Sequence, residues 1–258
     1  MKKYFITFIF IAFAFTSQSQ ILITLLLGDK LNSDKLEFGL EGGLNWTKIS
    51  GFESKTYRGD WNMGFYFNFK MNESWYLYTG VLVKSTMGTA QLTDNDLNKI
   101  NASIYTNLDE IELEGKYSQQ LRYFLVPVLA KYKFKNNIYM ELGPQFGLMY
   151  KSWVEFESDI EGRDAIIKEY NKENINKIDV GVIIGAGYTL FKGTGWTIGA
   201  KYYYGFVNVY KGIPGTNNSA FFVKLNIPIG AGENAKEKAA KKAAKKRAKK
   251  DAKQMKKE

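Results

Sequence analysis

Residues 177–190, KIDVGVIIGAGYTL, alternate with a period of two. Ile178, Val180, Val182, Ile184, Ala186, Tyr188 and Leu190 form an apolar set. Asp179, Gly181, Gly185, Gly187 and Thr189 form a small or polar set that only Ile183 interrupts. Successive side chains of a strand point to opposite faces, so this is a long strand with two unlike sides. An apolar side against lipid and a glycine-rich side against a narrow lumen would satisfy both sets.

The same pattern recurs. Leu36–Ile49 sets Leu36, Phe38, Leu40, Leu44 and Trp46 against Glu37, Gly39, Glu41, Gly43 and Asn45. Trp61–Met71 places an apolar residue at every odd position, opposite Asn62, Gly64, Tyr66, Asn68 and Lys70. Trp75–Met87, Tyr117–Phe134, Ile138–Trp153, Trp196–Val207 and Ser219–Ile229 complete a set of eight stretches with the one above. In Tyr117–Phe134, Leu125 and Leu129 fall on the otherwise polar side with Lys131 and Lys133, and in Ser219–Ile229 the polar side carries Lys224 and Asn226. Short connections near 72–74, 135–137 and 191–195 alternate with long ones near 50–60, 88–116, 154–176 and 208–218. That asymmetry predicts an all-β fold: an eight-stranded antiparallel up-and-down transmembrane barrel.

A soluble eight-stranded barrel would instead turn its apolar residues inward. Three features favour the membrane form. The amino terminus resembles an export signal, and Trp46, Trp61, Trp75, Trp153 and Trp196 gather at strand ends. The polar faces also carry Glu37, Glu41, Glu141, Asp179, Lys70, Lys84, Lys131 and Lys201, which a dry protein core would not tolerate unpaired.

The expected division is a signal peptide over 1–20, an N-terminal periplasmic segment over 21–35, the barrel over 36–230 and a basic tail over 231–258. Lys2 and Lys3 precede an apolar run from Tyr4 to Phe15, followed by the small and polar Thr16 to Gln20. A spanning helix needs roughly 20 residues, so this run is too short for one. Ile21–Leu27 is either a segment packed at the barrel rim or an amphipathic stub.

The net charge of +10 belongs to the ends. After Gly232 there are 12 Lys and Arg against 4 Asp and Glu, Lys2 and Lys3 add two, and the body between is neutral. The tail AKEKAAKKAAKKRAKKDAKQMKKE has no apolar stripe wider than alanine, so it reads as a Lys/Ala-rich helical or disordered, solvated extension. Expected partners are outer-membrane lipid and, through the tail, peptidoglycan or an acidic periplasmic protein; nucleic acid is not expected. An even strand count puts both termini on the periplasmic side.

Catalytic, cofactor and metal-ligand residues are all expected to be none. Without cysteine, thiolate chemistry and disulfides are excluded, and without histidine the commonest general base is missing. Asp94, Asp96 and Asn98 imitate the start of a calcium loop, but Lys99 and Tyr105 stand where its glycine and bidentate glutamate belong. Gly181, Gly185 and Gly187 precede no helix and so suit lumen packing rather than a dinucleotide.

Four segments, YFLVPVLAKYKF (123–134), LGPQFG (142–147), DVGVIIGAGY (179–188) and KYYYGFVNV (201–209), resemble signatures of the PorT-like outer membrane β-barrel family of Bacteroidota. The resemblance covers residues 36–229 and implies an eight-stranded outer-membrane barrel with no catalytic residue. This chain has Leu125 where family members often carry an acidic residue. The expected function is a non-enzymatic membrane scaffold or adaptor, linked to secretion and gliding machinery or to envelope anchoring. The alternatives are an outer-membrane protease or acyltransferase using lumen carboxylates, and a narrow pore.

Overall fold

The computed structural model describes residues 33, 35–105, 107–108, 111–112, 114–160, 163–190 and 195–229. The expected signal peptide, nearly all of the 21–35 segment, positions 191–194 of one short turn and the basic tail lie outside the described residues.

Among the described residues eleven strands run in chain order. They are β1 (Leu36–Ile49), β2 (Arg58–Lys70), β3 (Trp75–Ala90), β4 (Asn107–Leu108), β5 (Ile111–Glu112) and β6 (Gly115–Lys133), then β7 (Ile138–Ile160), β8 (Arg163–Tyr170), β9 (Ile178–Thr189), β10 (Thr197–Asn208) and β11 (Asn217–Pro228). A short helix, α1 (Asp94–Lys99), lies between β3 and β4. Eight strands close a ring in the order β1-β2-β3-β6-β7-β9-β10-β11, each antiparallel to its neighbours. Closure is direct: Leu40 of β1 stands opposite Ile227 of β11. A closed ring has no free strand edge, so every ladder amide can be paired within the wall. No helix among the described residues is long and apolar enough to cross a membrane, which bears only on helices.

Both ends of the ring's chain, Leu36 and Pro228, lie with the short connections, here the turn end; the long connections form the opposite, loop end. Over the middle of the ring the apolar set faces out. Leu44, Leu142, Leu148, Ile178, Ile184 and Phe206 are 52–63% exposed. An exposed apolar belt of this extent needs a non-aqueous neighbour. The other set faces in, where Glu41, Asn62, Gln145, Lys201 and Lys224 are all at most 2% exposed.

The lumen closes because tyrosines lie over glycines. Tyr66 pairs with Gly39 across β1 and β2, and Tyr139 with Gly187 across β7 and β9. A Cβ on Gly39 would sit 2.5 Å from the Tyr66 ring, and one on Gly187 would sit 2.5 Å from Tyr139 Cζ. Gly181 lies as closely beneath Tyr203. Glycine opposite an aromatic ring lets the ring lie flat along the wall, so bulky inward residues fit an interior only wide enough for side chains.

Several expectations are corrected by this fold. Alternation puts Lys84 inward with the strand's polar set, but the β2–β3 register shifts between Met63 and Gly64. After that bulge Lys84 stands opposite the outward Met63, with its ammonium 3.1 Å from the Trp61 ring centroid. Lys70 is exposed at the turn-end rim and not enclosed. Leu125 and Leu129 do face inward, at 1% and 0% exposure, so β6 presents aliphatic groups to the lumen at those levels.

The stretches expected as long loops near 88–116 and 154–176 are largely folded. β3 continues to Ala90, and β7 continues to Ile160 and turns back as β8, which pairs Trp153 with Tyr170 and Glu157 with Ile166. The strand signal was missed because its polarity inverts. Past an irregularity between Arg122 and Tyr123, the inward residues of β7 become Val154 and Phe156 while Glu155 and Glu157 turn outward. Above the apolar belt the surroundings are aqueous, and the alternation follows the soluble rule.

Candidate functional site

The inward set brings charges from five strands, and a tyrosine from a sixth, to one level near the turn end. Glu41 on β1 receives Lys201 of β10, with Nζ 2.7 Å from Oε1. Its other oxygen accepts the Tyr78 hydroxyl of β3, and that hydroxyl accepts Asn226 Nδ2 of β11 at 2.9 Å. Glu141 on β7 pairs with Lys224 of β11 at 2.6 Å. Lys224 also lies 4.2 Å from the Tyr78 ring centroid, which ties the two pairs together. Lys131 of β6 stands 3.9 Å from the Tyr139 ring centroid and 5.4 Å from that of Tyr78. Cations over aromatic faces are attracted electrostatically, most strongly where water is absent. At the turn-end mouth Glu37 accepts Tyr66 and Asn68 at 3.1 and 3.2 Å.

Of the eight charges expected inside, Glu37, Glu41, Glu141, Asp179, Lys131 and Lys201 are there; Lys70 and Lys84 are not. Lys224, read from the sequence only as a member of a polar face, supplies the partner of Glu141. The alternation marks it as inward, but nothing in the sequence names which of the facing carboxylates it meets.

A second tier lies nearer the loop end. Asp179 of β9 accepts Asn218 Nδ2 of β11 at 2.8 Å, and Tyr123 of β6 accepts the same amide at 3.3 Å. Above this, Gln119 of β6 is held by Ser152 and Asn171 and accepts the Tyr210 hydroxyl. Burial pushes the Tyr210 phenol well above its ordinary range, so it acts as a fixed donor.

The loop end is stoppered by apolar side chains. Ile49, Phe52, Leu97, Ile100, Leu121, Phe156, Ile175 and Val209 pack into one buried cluster continuous with the lumen residues. Helix α1 seals it laterally. Thr93 and Asp96 form a capping box at its start, each bonding the other's backbone N–H. The Asp96 carboxylate also accepts the backbone N–H of Glu53 at 2.7 Å and of Ser54 at 3.0 Å, so it fastens the β1–β2 loop onto α1. Lys99 reaches the Gly51 carbonyl at 2.6 Å. Asp94, Asp96 and Asn98 therefore sit on a helix, with Asp96 bonded to backbone amides. Among the described residues no group of three His, Cys, Asp or Glu could hold a metal.

Chemically, the Tyr78–Glu41–Lys201 arrangement has the groups of an acid-base relay, but Glu41 and Lys201 are each 1% exposed and Tyr78 is 0%. Its bonds are satisfied within the wall, and the apolar stopper stands between it and the loop end. Together with the Glu141–Lys224 pair and Lys131 it ties six strands to one another.

The family described as outer membrane protein beta-barrel domain matches residues 17–211. No curated protein sequence matches the chain. Among solved structures, Ail, the attachment invasion locus protein of Yersinia pestis, is 10% identical over 76% of this chain and 99% of its own, with TM-score 0.35. Neisserial surface protein A is 12% identical over 74% and 96%, with TM-score 0.33. OprG from Pseudomonas aeruginosa is 10% identical over 75% and 91%, with TM-score 0.30. The ring described above rests on its own strand pairing and not on these likenesses.

Proposed function

The chain belongs to the outer membrane protein beta-barrel domain family, and from that premise we propose that it is a non-enzymatic scaffold or adaptor of the bacterial outer membrane. The observation that carries this reading is the filled and stoppered lumen. Tyr66, Tyr78, Tyr123, Tyr139, Tyr203, Phe222, Lys201 and Lys224 are all fully buried side chains within it. A barrel whose interior is cross-linked in this way offers its exterior, the outer wall and the folded loop end among the described residues, rather than its lumen.

On this reading both termini lie in the periplasm, residues 1–20 are removed on export, and the lysine-rich tail contacts peptidoglycan or an acidic periplasmic protein. Each lysine near an anionic surface would add roughly 1 kcal/mol. The finer kinship is with the PorT-like barrels of Bacteroidota, supported by the four motifs at 123–134, 142–147, 179–188 and 201–209. That kinship makes secretion and gliding machinery the partner to test first.

Membrane-extracted protein should migrate differently on gels before and after boiling. Recovery in the soluble periplasmic fraction would end the reading. Pull-downs with the full chain and with a chain stopped at Gly232 should differ in the partners captured; identical sets would remove the tail from the function. In planar bilayers the protein should show no sustained conductance, because passage would require the loop-end cluster to leave.

A further inference from the structure

Four of the five tryptophans stand on the outer wall with 39–46% exposure, whereas Trp153, on the same outward face, is 3% exposed. What covers it is charge. The guanidinium of Arg122 lies 5.1 Å from its ring centroid, Lys151 Nζ lies 5.5 Å away, and Lys168 Nζ lies 5.6 Å away. Lys151 is also 5.1 Å from the ring of Tyr170, which pairs with Trp153 across β7 and β8.

Three cations thus share one indole, and among the described residues one carboxylate faces them. Glu155 pairs with Lys168 at 3.3 Å and accepts the indole N–H at 3.0 Å. Neither Arg122 nor Lys151 has an ion-pair partner there, and Arg122 Nε is buried with no hydrogen-bond acceptor. The cluster is assembled by register: Arg122 stands opposite Lys151, Gln120 opposite Trp153, and Glu155 opposite Lys168. It therefore spans three strands in a rigid wall.

We propose that this cluster binds the phosphate of a lipid headgroup against the outside of the barrel. A crowded set of cations with unfilled donor capacity calls for an anion with several acceptor oxygens, which phosphate provides. The lipid source follows from what lies directly below on the same face. Phe124 and Tyr150 stack at 4.7 Å, and Phe124, Leu148 and Ile178 are 39–60% exposed. Acyl chains against those residues would bring the headgroup to the height of Arg122 and Lys151. The inference rests on the reading that this wall faces lipid.

The test uses the full chain in digalactosyldiacylglycerol vesicles, whose headgroups carry no phosphate, doped with diphosphoryl lipid A or with its dephosphorylated form, with lipid retention read by native mass spectrometry. The wild type should retain the diphosphoryl form selectively. The triple variant R122Q/K151Q/K168Q should retain it roughly a hundredfold less, at about fivefold per cation near a lipid surface. K84Q, whose lysine covers Trp61 on another part of the wall, should bind as wild type. Equal retention of the two lipid forms, an unchanged triple variant, or an equal loss in K84Q would each overturn the proposal. Displacement of the lipid by millimolar inorganic phosphate would overturn the assignment to a lipid headgroup. Heat-modifiable migration is scored in parallel: its loss in the wild type would indict the membrane reading, and its retention in the triple variant shows that the barrel still folds.

Discussion

Phe146 and Phe156 lie ten residues apart on the same strand and live under opposite rules. Phe146 points out of the ring and is 46% exposed, whereas Phe156 points in and is 1% exposed. Around Phe146 the interior is polar, with Gln145 and Asp179 buried; around Phe156 it is apolar and the outside carries Glu155, Glu157 and Lys168. Unbroken alternation would turn both rings the same way; the register shift against β6 between Arg122 and Tyr123 reverses the faces, and the apolar set thereby follows the change from lipid to water outside the wall. Where the wall needs neither face to be lipid-soluble, it builds an ordinary apolar core, and that core is what seals the lumen.

Substitutions can break this contrast. The largest effect is expected inside the lower half. Lys224→Met removes the ion-pair partner of the buried Glu141 and should cost about 3–5 kcal/mol, while Lys224→Met with Glu141→Leu should recover most of that loss. Urea unfolding of the vesicle-inserted protein gives both values. A double variant as unstable as the single one would show that the pair is needed for more than mutual neutralisation.

Next comes the direct comparison along β7. Phe156→Ala should cost about 3 kcal/mol, as for a packed core aromatic, and Phe146→Ala under about 1.5 kcal/mol because lipid fills the space. Hydrogen exchange of β6 and β8 amides would locate the first loss at the loop end. Comparable costs at the two sites would remove the distinction between the halves.

Gly187→Val, which presses on Tyr139, should destabilise by about 1–3 kcal/mol through overpacking. Adding Tyr139→Ala should relieve the part due to the ring and leave the part due to the Ile198 carbonyl oxygen, which a Cβ there would meet at 2.3 Å. The smallest effect is expected at the cap. Asp96→Ala should cost about 1 kcal/mol, the usual loss for a helix N-terminal side-chain bond, and should speed exchange of the Glu53 and Ser54 amides without touching the ring. Unchanged exchange there would mean that α1 is held by Leu97 and Ile100 alone.

Most of the ring was legible in the chain. The ends of β1, β7 at its turn end, β9 and β10 fall within a residue or two of where alternation begins and stops. Two kinds of feature were not legible. The β7–β8 hairpin was hidden because an apolar-out template rejects VEFES once its apolar members point inward. Lys84 was misplaced because a bulge adds one residue and so reverses every face beyond it, and a bulge leaves no mark in a sequence that tolerates either side. The sequence places Trp153 with the other tryptophans at strand ends, and its burial is not legible there because its covering cations arrive from β6 and β8 as well as from its own strand.

The amino-acid sequence by itself determined that eight two-faced strands exist, which residues share a face, and that the apolar faces must meet something other than water, since side-chain alternation is a local property of extended backbone. Only the tertiary structure decided that Lys201 meets Glu41 across 160 positions, that Lys224 meets Glu141, and that three cations close over one indole. Those meetings depend on the stagger between strands and on where bulges fall, and both are fixed by closing the ring as a whole.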